Sequence, residues 1–347
     1  MSPDQVRGER MARQRLIAEP FPDVISCVST LGAVQFQEFE DSLWSLARRT
    51  KDRPAREAIA AEIAEGDLVR HHVLRPTWHV VRTQDLDWML DLTADRIRAQ
   101  SRPQLRTTGL LEDRDRFVGM VGEIVEAADA PLTRKEIGEA LALRGVELKG
   151  QALGHVTVSA ELDKVVTTAA RRGHWDTFVP YASRIPTVEL DREEALVRLA
   201  TMYLAGHAPA TAHDFAWWAG ITVTDAKRAH ELADVEPVGS ASSDGTALIL
   251  SLFDELVIAY ADRSHYEVPI AAGGTIDVWG GNLVLLDGVV AATWRRVKGR
   301  RKADPVLLEL APVRPLAPSD RDRIQADAVA FIDHLDTPVD LQWKDHA

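Results

Sequence analysis

Cysteine is nearly missing from this chain of 347 residues: Cys27 is the one thiol, so no internal disulfide can form. Long apolar runs are missing as well. A bilayer span needs roughly 20 apolar residues, and NLVLLDGVVAATW is interrupted by Asp287 and reads as a hairpin, so no membrane partner is expected. The opening MSPDQVRGER has no apolar signal segment, and the expected compartment is cytoplasmic. HExxH, paired CxxC, GxxxxGK[ST] and GxSxG are absent, and the eleven histidines show no ligand spacing. Neither a metal nor any other cofactor is expected. Positive charge is short too: 53 acidic against 41 basic residues give a net charge of −12, which argues against a protein that coats nucleic acid.

The basic residues are unevenly spread. RRVKGRRK holds six in eight with no acid: Arg295, Arg296, Lys298, Arg300, Arg301 and Lys302. Arg10, Arg13 and Arg15 share the first expected helix. Either cluster reads as a solvated face or as a phosphate-binding surface.

Helical periodicity and turn signals divide the chain into four parts. Residues 1–115 run from the helix VRGERMARQRLIA through FPDVISCVSTLG, FEDSLWSLARRT and AREAIAAEIAEG to LVRHHVLRPTWHVVRT, which alternates like two strands about Arg75-Pro76. Residues 116–186 repeat that plan, with Thr133-x-x-Glu136 as a capping box and HWDTFVPYA as a strand. Residues 187–245 begin it again, with Thr211-x-x-Asp214 as a cap and Gly220 separating TAHDFAWWAG from TVTDAKRAHELA. Residues 246–347 read as β-rich, including TALILSLFDELVIAY, with SDRDRIQADAVAFIDHL as a closing helix. The expected fold is mostly α with β wings: three tandem winged-helix units and a β-rich C-terminal part.

One segment resists a purely structural account. In VQFQ, a period of two sends Val34 and Phe36 to one side and the amides of Gln35 and Gln37 to the other. Each amide offers an acceptor and two donors. Two of them on one face can orient a water, or they can simply bond the backbone at a strand end.

VQFQ after two helices, RPTWHVV, FDELVIAYADRS and the strand DGVVAATWRR, in this order, resemble the AlkZ-like winged-helix family of bacterial DNA glycosylases over most of the chain. The resemblance implies hydrolysis of the N-glycosidic bond of cationic alkylated purines such as N7-alkylguanine. Unhooking of interstrand crosslinks is part of that expectation. It also implies that Gln35 and Gln37 hold the catalytic water and the sugar, with Phe36 and His79 framing the site. Arg48, Arg49 and the Arg295–Lys302 cluster would contact phosphates. The implied partner is double-stranded DNA carrying alkylated bases, bound by a monomer in a concave surface that the three winged-helix units and the β-rich part form together.

Chemistry makes amides plausible here. An N7-alkylated guanine is cationic and already activated as a leaving group, so the water needs positioning more than deprotonation. A non-catalytic winged-helix regulator is the rival reading; it would usually dimerise on a pseudo-palindrome, and no heptad segment offers a dimer.

Overall fold

A computed structural model describes residues 1–236, 241–266, 282–297, 306–335 and 339–344. The first part contains α1 (Pro3–Arg13), α2 (Val24–Leu31), β1 (Val34–Gln35), α3 (Phe39–Arg49), α4 (Arg56–Glu65), β2 (Leu68–His72) and β3 (Trp78–Arg82). Ser2 and Gln5 cap α1 reciprocally, and Asp23 caps α2 through the Ser26 N–H. A long helix, α5 (Thr83–Thr107), links this part to α6 (Arg114–Glu126), β4 (Leu132–Thr133), α7 (Arg134–Leu143), α8 (Gln151–Leu162), β5 (Val166–Arg172) and β6 (Trp175–Pro180). The capping box at Thr133 and Glu136 forms as the sequence predicts: the Thr133 N–H donates to Glu136 at 2.7 Å and the Glu136 N–H to the Thr133 hydroxyl at 3.3 Å.

From α2 onward the first part shares one order with the second, helix, strand, helix, helix, strand, strand. Each closes a three-stranded antiparallel sheet, β1-β3-β2 and β4-β6-β5. The third helical set, α9 (Arg192–His207), α10 (Ala212–Ala219) and α11 (Val223–Leu232), turns at Gly220 with its cap at Thr211 and Asp214. Among the described residues the next strand is β7 (Ala247–Ile249), which joins a larger sheet and not a hairpin of its own. The expected extended segment VEPVG lies largely outside the described residues.

Among the described residues the C-terminal part forms a five-stranded sheet, β11-β10-β9-β8-β7, in which β8 (Leu283–Leu286), β9 (Val289–Val297), β10 (Val306–Pro312) and β11 (Val339–Trp343) join β7. Two expectations change here. FDELVIAY is not a strand: Asp254 accepts the Leu256 N–H and caps the one-turn helix α12 (Glu255–Ile258). The helix α13 (Pro318–His334) does not close the chain, because β11 follows it and pairs parallel with β10.

Packing fuses the chain's two ends. Phe36, Leu43, Trp44 and Val80 share one buried cluster with Ile249, Val284, Trp294 and Phe331 of the C-terminal sheet and α13. The Trp44 indole N–H donates to the Ile249 carbonyl at 2.8 Å within that cluster. Burying such apolar side chains contributes about 1.5–3 kcal/mol each. Trp78 of β3 sits instead in the core of the second part, with Phe117, Val121 and Phe178. The first sheet is therefore held from both sides.

Candidate functional site

Gln35 ends β1, opposite His79 of β3, and His79 is opposite His71 of β2. Gln35 is 8% exposed, whereas Gln37 lies beyond the strand and is exposed. Their side-chain oxygens bind one turn: Gln35 Oε1 accepts from Arg75 Nη2 at 2.9 Å, and Gln37 Oε1 accepts from the Trp78 N–H at 3.3 Å. Guanidinium and peptide N–H groups can only donate. Chemistry thus fixes which end of each amide meets the turn, and each carbonyl keeps one lone pair while the NH₂ groups stay clear of these partners.

The turn is firmly built. Leu74 has φ 64°, the Arg75 N–H reaches the Val73 carbonyl and the Thr77 N–H the Arg75 carbonyl, each at 2.7 Å. Gly220 supports it from below at φ 65°, where an added Cβ would stand 2.0 Å from the Leu74 oxygen. Only glycine fits that approach.

His79 is fully buried, and its Nδ1 donates to the Thr77 carbonyl at 3.0 Å, which leaves Nε2 as an acceptor 3.5 Å from Arg75. Burial, and then the neighbouring Arg75 cation, hold the imidazole well below its ordinary pKa, so it is neutral. Under Gln35 lies Glu255, fully buried, accepting the Gln35 backbone N–H at 2.6 Å and the Trp218 indole N–H at 3.2 Å. Arg70 secures the next two residues, donating to the carbonyls of Phe36 at 2.9 Å and Gln37 at 3.3 Å. Its guanidinium lies 4.2 Å from the Trp78 ring centroid and pairs with Asp176 of β6 at 2.8 Å. A groove of about 360 Å³ lined by Phe39, Glu40, Arg70, Arg171 and Asp176 opens two residues beyond Gln37.

Several expected roles change. Phe36 is fully buried and meets Phe39 edge-on at 5.5 Å, so its ring packs into the core and is not open to a substrate in this structure. His79 is equally inaccessible and meets Gln35 through Arg75. Arg49 is fully buried, bidentate to Asp254 at 2.6 and 3.0 Å and bonded to Gln14 at 2.7 Å. Arg48 is committed to both oxygens of Asp327 at 2.8 and 2.9 Å. Neither is open to phosphate, because at the end of α3 both side chains turn into the joint with the C-terminal part. Arg295 and Arg296 stand on β9, paired with Glu309 and Asp41 respectively. Lys298, Arg300, Arg301 and Lys302 lie outside the described residues.

Arg70, Arg75, Trp78 and Glu255 were not singled out by sequence as parts of this site. Arg75 and Trp78 do stand in the quoted RPTWHVV and Glu255 in FDELVIAY, but only strand pairing and the long-range joint bring them to the glutamines.

The DNA glycosylase AlkZ-like family matches residues 28–333, a span that contains the glutamines, the β2–β3 turn and Glu255. The chain belongs to the AlkZ-like DNA glycosylase family. It is a DNA glycosylase, and DNA is its partner. A solved structure, Streptomyces sahachiroi DNA glycosylase AlkZ, shares the fold with a TM-score of 0.72 at 22% identity, covering 99% of this chain and 100% of that one. No curated protein matches the chain. Among the described residues, no helix is long and apolar enough to cross a membrane.

Proposed function

We propose that this AlkZ-like protein removes cationic alkylated purines, N7-alkylguanine foremost, and that it releases such bases from interstrand crosslinks. Gln35 and Gln37 are the proposed catalytic pair. The observation that carries this reading is the anchoring of both amide oxygens on one turn by donor-only groups, which leaves one lone pair per carbonyl and both NH₂ groups for a water and the sugar. An amide has no proton to give or take at neutral pH. That suits a leaving group already activated by its charge, for which a positioned water suffices.

The parts 1–115, 116–186 and 187–245 are proposed as three tandem winged-helix units and 246–347 as the β-rich part. The shared element order and sheet closure of the first two support this. A monomer acting in the cytoplasm on double-stranded DNA fits the reading. Arg295 and Arg296, with Lys298, Arg300, Arg301 and Lys302, are the proposed phosphate contacts, positioning the duplex without reading its sequence.

The test is incubation of the purified protein with a duplex carrying one N7-methylguanine, followed by detection of abasic sites. Abasic sites should appear at the methylated guanine and not at ordinary guanines. Their absence on every cationic purine tried would sink the reading.

A further inference from the structure

Arg75 is held more tightly than a surface turn requires. Its backbone N–H and carbonyl are both bonded within the turn, the preceding Leu74 takes a left-handed φ of 64°, and Gly220 packs against the Leu74 carbonyl. A left-handed φ at a leucine is an uncommon conformation that surrounding structure must enforce. The guanidinium so placed spends itself on neutral groups: its side-chain hydrogen bonds go to Gln35 Oε1 at 2.9 Å and His79 Nε2 at 3.5 Å. Among the described residues it forms no ion pair with a carboxylate; Glu255, the negative group that acts on it from a distance, is bonded to Gln35 and Trp218.

A cation held beside an amide oxygen has a definite consequence for that amide. Rotating Gln35 by half a turn would set its NH₂ against a guanidinium that only donates, so the amide is locked with its carbonyl inward. His79 strengthens the lock. Its Nδ1–H is taken by the Thr77 carbonyl, so Nε2 presents a lone pair to the same Arg75 nitrogen and discourages the guanidinium from swinging away.

We propose that Arg75 is a positioning residue for base excision, acting through Gln35 by fixing the orientation of its amide. This rests on the reading of Gln35 as catalytic. The competing role for an unpaired cation here is a direct phosphate contact, which would appear in DNA affinity and not in the chemical step.

The experiment is a double-mutant cycle of Arg75→Ala and Gln35→Ala, with Arg75→Lys alongside. Single-turnover excision of N7-methylguanine, duplex Kd and melting temperature are read for every variant. Arg75→Ala should slow excision on the order of 10²-fold, as misplacement of a reacting group does, with Kd unchanged. Arg75→Lys, which keeps a cationic donor, should recover part of the rate. The double variant should be no slower than Gln35→Ala alone. Multiplying effects, or a Kd that weakens while the rate holds, would overturn the proposal and leave Gln35 catalytic. A wild-type rate in Gln35→Ala would remove the catalytic reading itself, and the role of Arg75 with it. If Arg75→Ala does not fold, the lysine variant carries the same cycle.

Discussion

Glu255 accepts the backbone N–H of Gln35 at 2.6 Å across a separation of 220 residues. The same carboxylate accepts the Trp218 indole N–H, so one buried side chain ties the first sheet, α10 and the C-terminal part together at the glutamine strand. Glu255→Ala strands two buried donors, each costing about 1–3 kcal/mol. Urea unfolding should show the loss, and Glu255→Gln, which keeps one acceptor oxygen, should lose less. An unchanged midpoint in the alanine variant would mean that this junction does not hold the strand.

A second joint lies at Arg49 and Asp254. Burial alone would lower the Arg49 pKa, but the negative groups around it, Asp254 foremost, together raise it above the ordinary value. Breaking a buried pair leaves a charge without its partner and costs about 3–5 kcal/mol. Arg49→Ala should therefore melt far earlier than wild type, while folded protein at low temperature binds duplex DNA with unchanged salt dependence. A flattened salt slope with normal stability would reinstate Arg49 as a phosphate contact.

These two joints also explain what could be read from the sequence and what could not. The capping boxes at Thr133 and Thr211 and the strands flanking Arg75-Pro76 were legible because each is decided within a few residues. Arg48 and Arg49 looked like surface cations because charge at the end of a helix usually faces water. Their partners, Asp327 and Asp254, are more than 200 residues away, and no local pattern announces them. Val34 and Phe36 followed the alternation into the core, but the strand ends at Gln35, so the different exposures of the two amides were not visible.

Acid should destabilise the protein early. His71, His79 and His334 are all held below their ordinary pKa by burial, His334 down to about 4. Unfolded histidine takes up its proton near pH 6.5. Below that the unfolded chain binds more protons than the folded one, so this stability is complete above about pH 6.5 and is lost as pH falls. The urea midpoint should hold between pH 7.5 and about 6.5 and decline through pH 6 to 5. A flat midpoint over that range would show that these rings are not neutral in the fold.

Arg295 and Arg296 stand on one strand with carboxylate partners, Glu309 and Asp41. A DNA phosphate must compete with those carboxylates, so each arginine should contribute less than a free one. Replacing both by alanine should lower the salt slope by less than the roughly 0.9 per phosphate contact expected of a freely available cation. Duplex affinity measured against salt concentration reads it directly. An unchanged slope would assign both residues to the β9 surface alone.

The sharpest contrast is expected between Gln37 and its surroundings. Its side chain is exposed, and the Trp78 N–H that it accepts at 3.3 Å is a long contact, so Gln37→Ala removes little from the fold. Melting temperature and duplex affinity should stay near wild type. Excision of N7-methylguanine in single turnover should nonetheless fall on the order of 10²-fold, because a group that orients the water acts mainly in the transition state. Gln35→Ala should slow excision as well. It removes the acceptor on which Arg75 rests, so it should also cost some stability. Since both amides are proposed to act on one water, the double variant should be less impaired than the product of the two. Rates equal to wild type in both single variants would reduce VQFQ to a strand end held by Glu255 and Arg70, and excision would then depend on other residues.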